Sequence, residues 1–258
     1  MSEFEDAKAP WNYFVNDSGY SNVLRDRLRD HVEMDSAIAL GTYLNERVRG
    51  DISMVDFGGG PGHYYPAIKR LYSSGTIDYL SVDIDHANIR FGTEYFADDP
   101  HARFAVGSIL DPASFLLDRD GVVSANTLPH VPAIAPLLRA IAAAPSVNFF
   151  LFRMLIGNEC VEIRKHLKAD QFNKLFEDNY QHNNIYSLAY LAATLGTGWE
   201  LEVMPDRVDR ERLAQHNVPM QQQDAFYGNR VSRAVGDMTF KGDIYMPWKF
   251  VFGRRTGS

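Results

Sequence analysis

The stretch Met54-Val55-Asp56-Phe57-Gly58-Gly59-Gly60-Pro61-Gly62 decides the fold. Apolar residues lead into an acid, and glycines then fall on the alternate positions 58, 60 and 62. This reads as a strand at 53–57, a tight glycine turn, and a helix over about 61–73 that opens at Pro61. Proline suits a first helical position, where its missing N–H would be unpaired anyway. Glycine allows φ > 0 and lets a ligand lie against bare main chain. A second strand, 78–83, runs through Tyr79-Leu80-Ser81-Val82 and ends in Asp83, 21 residues beyond Gly62. One helix and one turn fit in that interval. In nucleoside-binding α/β folds an acid about 20 residues on accepts hydrogen bonds from ribose hydroxyls, and Asp83 is the candidate for that role. Asp85 is placed to cap the next helix, over about 86–96.

Two cofactor classes use such a turn. The dinucleotide pattern Gly-x-Gly-x-x-Gly, started at Gly58, puts His63 where the third glycine belongs, and fails. The pattern acid-x-Gly-x-Gly-x-Gly is met at every fixed position, by Asp56, Gly58, Gly60 and Gly62. It resembles the first motif of the class I S-adenosylmethionine (SAM)-dependent methyltransferases. The resemblance covers residues 50–155 by motif, and 184–204 and 244–253 by topology. It implies an α/β protein: a Rossmann-like, seven-stranded, mostly parallel sheet with helices on both faces. A tail and helical cap would occupy 1–50 and the methyltransferase domain 51–258, with insertions at 156–183 and 205–243. The cofactor implied is S-adenosyl-L-methionine, held by Asp56, Gly58, Gly59, Gly60, Gly62, Asp83, Ile84, Ser108, Ile109 and Asn126.

Two later segments bear on the same resemblance. Arg103-Phe104-Ala105-Val106 is the third strand and runs into Gly107-Ser108-Ile109-Leu110-Asp111. Members of the family often carry Gly-Asp-x-x-Asp here, with an acid accepting from the adenine amino group. Ser108 departs from that pattern and offers a weaker acceptor, while the N–H of Ile109 is left to serve the ring. The fourth strand, 121–126, is followed by Thr127-Leu128-Pro129-His130-Val131. Ligands of open α/β sheets sit outside the carboxyl ends of the strands, which is where 126–130 fall. The Asn-Pro-Pro-aromatic motif of methyltransferases acting on planar nitrogens is absent. The Leu-x-His-Val pattern is instead similar to small-molecule methyltransferases, in which a histidine after the fourth strand faces the substrate.

The rest of the chain frames this core. Residues 1–10 read as disordered. Leu24, Leu28 and Val32, then Leu40, Leu44 and Val48, recur every four residues, which predicts two helices over 20–49. These either pack on the sheet edge or cap the cofactor, with Tyr13 and Tyr20 reaching its methionine end. A helix is expected at 132–144. Val147 to Leu155 is a nearly continuous apolar run, as in a central strand buried on both faces. Arg153 interrupts its end, and a charge is costly to bury unpaired. It either pairs with a carboxylate such as Asp120 or Glu159, or binds an acidic substrate. An inserted helical segment is expected at 156–183, an amphipathic helix at 184–195, a half-buried strand at 199–204 and a final strand at 244–252. Some 40 residues separate those two strands. A loop of that length tends to be functional or disordered, and it reads as a substrate lid or an oligomer contact such as that of a homodimer.

Composition narrows the class. With 258 residues, 45% of them hydrophobic and 23% charged, the chain suits one α/β domain with additions. A net charge of −7 with no dense Lys/Arg cluster disfavours nucleic acid as partner. The single cysteine, Cys160, supports neither a disulfide framework nor a cysteine zinc site, and fits a reducing cytoplasm. The acidic stretch Met1 to Ala9 lacks the apolar centre of a secretory signal. No run of about 18 apolar residues predicts a membrane span.

Methyl transfer from a sulfonium is an in-line displacement in which the protein mainly positions the nucleophile and excludes water. An alcohol nucleophile also needs a base, and His130 is placed to be one, with packing at a helix start as its structural alternative. His63 is expected to pack near the cofactor, and His182-Asn183-Asn184 to offer polar contacts. Residues 126–131 hold no acid, so no metal is expected. The leading reading is a small-molecule methyltransferase, with oxygen the favoured acceptor on a natural-product or sugar intermediate. A SAM-binding regulator or partner subunit without catalysis, and a nicotinamide-dependent reductase, are the alternatives from other classes.

Overall fold

The computed structural model describes residues 18–166, 180–206, 232–235, 238–241 and 244–257. Two helices come first, α1 (Ser18–Arg29) and α2 (Asp35–Arg47). The four-residue stripes are their buried faces: Leu24 and Leu28 on α1, and Leu40 and Leu44 on α2, are all buried. Val32 does not continue the stripe, because α1 has already ended and the residue is exposed.

Strands and helices then alternate: β1 (Ile52–Phe57), α3 (Tyr65–Leu71), β2 (Ile77–Asp83), α4 (His86–Tyr95), β3 (Ala102–Val106), β4 (Gly121–Ala125), α5 (Ala135–Ala143) and β5 (Phe149–Gly157). After them come β6 (Arg164–His166), β7 (Tyr180–His182), β8 (Tyr186–Ser187), α6 (Leu188–Leu195) and β9 (Trp199–Pro205). The last elements are β10 (Ser232–Val235), β11 (Met238–Lys241), β12 (Ile244–Tyr245) and β13 (Trp248–Arg255). The main sheet has the order β3-β2-β1-β4-β5-β13-β9, with β8 as a short extra pairing on β5. β1 to β5 are parallel neighbours, whereas β13 runs antiparallel to both β5 and β9. The Rossmann-like, seven-stranded, mostly parallel sheet is thus present.

Alternation along the strands builds two cores. Val55 and Phe57 of β1, with Val122 and Phe150, join Leu138 and Ile141 of α5 and Leu191 of α6. Met54 and Val123 point the other way, to Leu40 and Leu44 of α2 and Ile68 of α3. Helices therefore cover both faces, and the central strands are buried on both sides, as the run at 147–155 implies.

Several expected boundaries move. The helix after the glycine turn starts at Tyr65, not Pro61, and the proline in its first turn is Pro66. Gly60 and Gly62 have φ of +55° and +80°, which no right-handed helix accommodates, so the chain first makes tight turns from Gly62 N–H to Gly59 O and from Tyr65 N–H to Gly62 O. The expected helix at 184–195 begins only at Leu188. Asn184 and Ile185 donate their N–H groups to Pro129 O and Val161 O, and the Ser187 side chain then caps α6. The inserted helical segment is corrected as well: in its described part, β5 continues to Gly157 and β6 pairs antiparallel with β7, while residues 167–179 lie outside the described residues. The final strand is split. β12 forms a small antiparallel sheet with β10 and β11, and β13 starts after Pro247. Of the stretch 205–243, residues 207–231, 236–237 and 242–243 lie outside the described residues, as do residues 1–17.

Asp56 ends up beneath the glycine turn. It is buried and accepts a 2.8 Å hydrogen bond from the Tyr79 hydroxyl. Burial pushes its pKa up to about 7, against the Tyr79 hydrogen bond and with some help from the nearby Asp83 charge. The unfolded carboxyl titrates near 4, so between about pH 4 and 7 the folded state holds an extra proton and stability falls as pH rises. Asp56→Asn is expected to flatten that fall, worth on the order of a few kcal/mol. Urea midpoints at pH 4.5 and 7.5 for parent and variant check this; an equally steep fall in the variant would contradict it.

Candidate functional site

A cleft opens at the carboxyl ends of β1, β2, β3 and β4, the edge where such sheets bind ligands. Its floor is Gly58, Asp83 and Ile84; its sides are Ser108, Ile109 and Asn126; His63 and His130 border it. Ser21 and Leu24 of α1 close it from the N-terminal side.

The glycine turn explains the floor. Gly58 has φ +74°, and a side chain there would start 2.1 Å from Thr127 Oγ1. Its N–H donates to Val82 O at 2.7 Å, which ties the end of β1 to the end of β2. Gly59 backs onto Ser81 and Asp56, and Gly62 onto Phe104 and Phe96, so these two shape the turn from behind. Asp56 likewise supports the turn and does not border the cleft.

Asp83 sits at the centre of the cleft. Its Oδ2 accepts from the Gly60 N–H at 2.9 Å and its Oδ1 from the Asp85 N–H at 2.8 Å. Burial raises its pKa to about 6 against the pull of those N–H donors. Asp85 caps α4, accepting from the N–H groups of Ala87 and Asn88, and also accepts from Ser21 Oγ at 2.8 Å. Arg25 donates to Asn88 Oδ1 at 3.0 Å, so α1 is fastened to the start of α4 beside the cleft. Tyr13, and the side chain of Tyr20, lie outside the described residues.

The Ser108 hydroxyl is partly used within its own turn, where it accepts from the Leu110 N–H at 3.1 Å. Asn126 has φ +65°, a conformation that asparagine tolerates better than most residues. It is held by two side chains: its amide donates to the Tyr64 hydroxyl at 2.8 Å, and Arg153 donates to its Oδ1. Arg153 also makes a bidentate pair with Asp206, at 3.1 and 2.5 Å, and lies over the Trp248 ring. Its carboxylate is therefore Asp206, not Asp120 or Glu159; Asp120 is taken by the Ser53 backbone N–H.

His130 follows β4 in a 3-10 turn at Leu128–His130. Its Nδ1 lies 2.7 Å from the His182 carbonyl oxygen and 3.1 Å from the Gln181 side-chain amide. The shorter contact is to a carbonyl, which only accepts, so Nδ1 is assigned the proton and Nε2 is the basic nitrogen; the Gln181 Nε2 group, itself only a donor, then makes no hydrogen bond to Nδ1. β7, from the insertion, thus bears on the tautomer of a residue in the turn after β4. His182 is itself buried, with burial lowering its pKa, and Asn184 donates to Val131 O. These residues fasten the insertion to the cleft wall. His216 and the arginines of 207–212 lie outside the described residues.

Sequence reasoning missed Ser21, Leu24, Asn88 and Thr127 as cleft residues. Only Thr127 carried a local signal, by following β4. Among the described residues, no helix is long and apolar enough to cross a membrane, and no group of three His, Cys, Asp or Glu side chains is placed to hold a metal.

No family model matches the sequence, and no curated protein matches it. Solved structures do match. An O-methyltransferase family protein from Burkholderia thailandensis is 13% identical, with a TM-score of 0.53, over 100% of this chain and 66% of that one. Phosphoethanolamine N-methyltransferase 2 from Haemonchus contortus, in complex with SAM, is 15% identical, with a TM-score of 0.58, over 99% and 60%. Human N-acetylserotonin methyltransferase, also in complex with SAM, is 12% identical, with a TM-score of 0.54, over 96% and 59%. The chain spans about 59–66% of the length of these proteins. At such identities the likeness is one of architecture, and it agrees with the strand order, the glycine turn and the cleft: the chain has the fold of the class I SAM-dependent methyltransferases.

Proposed function

We propose that the chain is a SAM-dependent methyltransferase acting on a small molecule, with oxygen the favoured acceptor atom and a natural-product or sugar intermediate the favoured substrate class. The observation that carries this reading is the convergence of the positive-φ glycine turn and the Asp83 carboxylate on one cleft at the carboxyl edge of the sheet. The residues fit the cofactor. The turn leaves bare main chain for close approach. Asp83 keeps lone pairs beyond those filled by Gly60 and Asp85, which suits ribose hydroxyls. Ile109 and Val82 offer an apolar bed for the adenine, with Ser108 at its rim. The cofactor supplies a methyl group already activated on a sulfonium.

What remains for the protein is positioning and proton removal. His130, with Nδ1 tied to the His182 carbonyl, presents Nε2 as a base for an acceptor hydroxyl. Asn126, locked by Tyr64 and Arg153, holds the start of the 126–131 segment in place. The stretch 205–243 is proposed as a lid or an oligomer contact, and the protein as cytoplasmic, with neither nucleic acid nor membrane as partner.

Isothermal titration with S-adenosylhomocysteine tests the cofactor. Micromolar binding is expected for the parent and loss of at least tenfold for Asp83→Ala; a folded parent that does not bind ends the proposal. The parent's affinity is also expected to fall as pH drops below about 6, because Asp83 then protonates and loses an acceptor. A pH-independent affinity between 5 and 8 would remove Asp83 from the contact. Once an acceptor is found, His130→Ala is expected to lower kcat by about 10²–10⁴-fold while leaving S-adenosylhomocysteine affinity within about twofold. Unchanged kcat would leave His130 a packing residue only.

A further inference from the structure

We propose that His63 binds a ribose hydroxyl of the nucleoside beside Asp83; this rests on the cofactor reading above and gives that site a second polar residue. His63 is the residue that breaks the dinucleotide pattern, standing where its third glycine would be. Its ring borders the cleft, yet its Nδ1 is buried and has no hydrogen-bond partner. Buried polar atoms are nearly always paired, and an unpaired one facing a cleft points to a ligand.

The position of that atom narrows the ligand. A side chain built on Gly60 would start 3.8 Å from His63 Nδ1 and 3.9 Å from Asp83 Oδ2. Both groups therefore lie within 4 Å of the same point over bare main chain, as does Leu24 Cδ1 at 3.5 Å. Burial, and then the Arg27 charge, push the imidazole pKa down to about 3, so the ring is neutral at any working pH. The Gly59 backbone contact opposes that fall only weakly, and Nδ1 has no protein partner of hydrogen-bond geometry. Nδ1 is then a donor or an acceptor according to the tautomer. A hydroxyl serves both, since it donates and accepts; an ammonium group only donates. Asp83, ionised, only accepts. Two adjacent hydroxyls satisfy the pair, one donating to Asp83 and its neighbour bonding Nδ1.

The test compares His63→Leu with the parent by isothermal titration, using S-adenosylhomocysteine and its 2′,3′-dideoxy analogue. Circular dichroism melts establish that each variant is folded. His63→Leu is expected to weaken S-adenosylhomocysteine about tenfold, the worth of one hydrogen bond, and to leave the affinity for the dideoxy analogue equal to the parent's. His63→Phe, which removes the polar atoms while keeping a ring of similar volume, supplies the same comparison if His63→Leu does not fold. Equal weakening of both ligands would make His63 a packing residue and overturn the inference. Unchanged affinity for S-adenosylhomocysteine in the variants would overturn it too, leaving the cofactor reading intact. A folded parent that binds neither ligand would remove the cofactor reading and this inference together.

Discussion

The site depends on one carboxylate. Asp83 accepts N–H groups from Gly60 in the turn after β1 and from Asp85 in the turn after β2. Those two hydrogen bonds fix two loops that lie 23 residues apart in the chain as one surface. Both loops need the tie, because each leaves the sheet at a point where ladder hydrogen bonds stop. Gly58 reinforces it by donating to Val82 O. Burying the charge is costly, as the raised pKa of Asp83 reflects, and the N–H donors offset part of that cost. A group held this way is already oriented before any ligand arrives, which lowers the entropy a ligand must surrender on binding.

A second set of polar contacts fixes the other side of the cleft. Arg153 reaches from the middle of β5 to Asn126 at the end of β4 and to Asp206 just after β9. Asn126 in turn bonds Tyr64, whose hydroxyl lies 2.6 Å from Ser36 Oγ on α2. The ion pair is almost wholly buried, with both side chains at 10% exposure or less. Buried pairs contribute little net stability, but removing one partner strands the other charge. Such a chain suits a point that must not drift: it holds a left-handed asparagine, which is intrinsically strained, at the entrance to the His130 segment. It also fixes Asp206, just after β9, to the same cleft wall.

The insertion between β5 and α6 belongs to the site. Its described part is extended, and it places the Gln181 side chain and the His182 carbonyl against His130. Asn184 fills backbone positions along 129–131 through its own N–H and its side-chain amide. A polar run that reads as surface helix is therefore buried, with Gln181, His182, Asn183 and Asn184 all below 5% exposure. The His182 carbonyl and the Asn184 N–H and side-chain amide close hydrogen bonds to 129–131, whereas the His182 ring nitrogens and the Asn183 amide nitrogen are buried without a partner.

The sequence by itself determined the sheet, the glycine turn and the central acid. Asp56 to Gly62 and Asp83 are local signals: chain reversal with φ > 0 needs glycine wherever it occurs, and a strand buried on both faces must be apolar throughout. The capping role of Asp85 was legible for the same reason, since a cap acts on its own next two or three residues. The tertiary structure decided what depends on distance across the fold. Nothing near Arg153 in sequence names Asp206 as its partner, because that choice is made by strand order, which sets β13 beside β5 and β9 beyond β13. Ser21 and Leu24 reach the cleft only because α1 docks on α4. Which nitrogen of His130 carries the proton turns on contacts between segments brought together by folding, and the residue type alone is equally compatible with either tautomer.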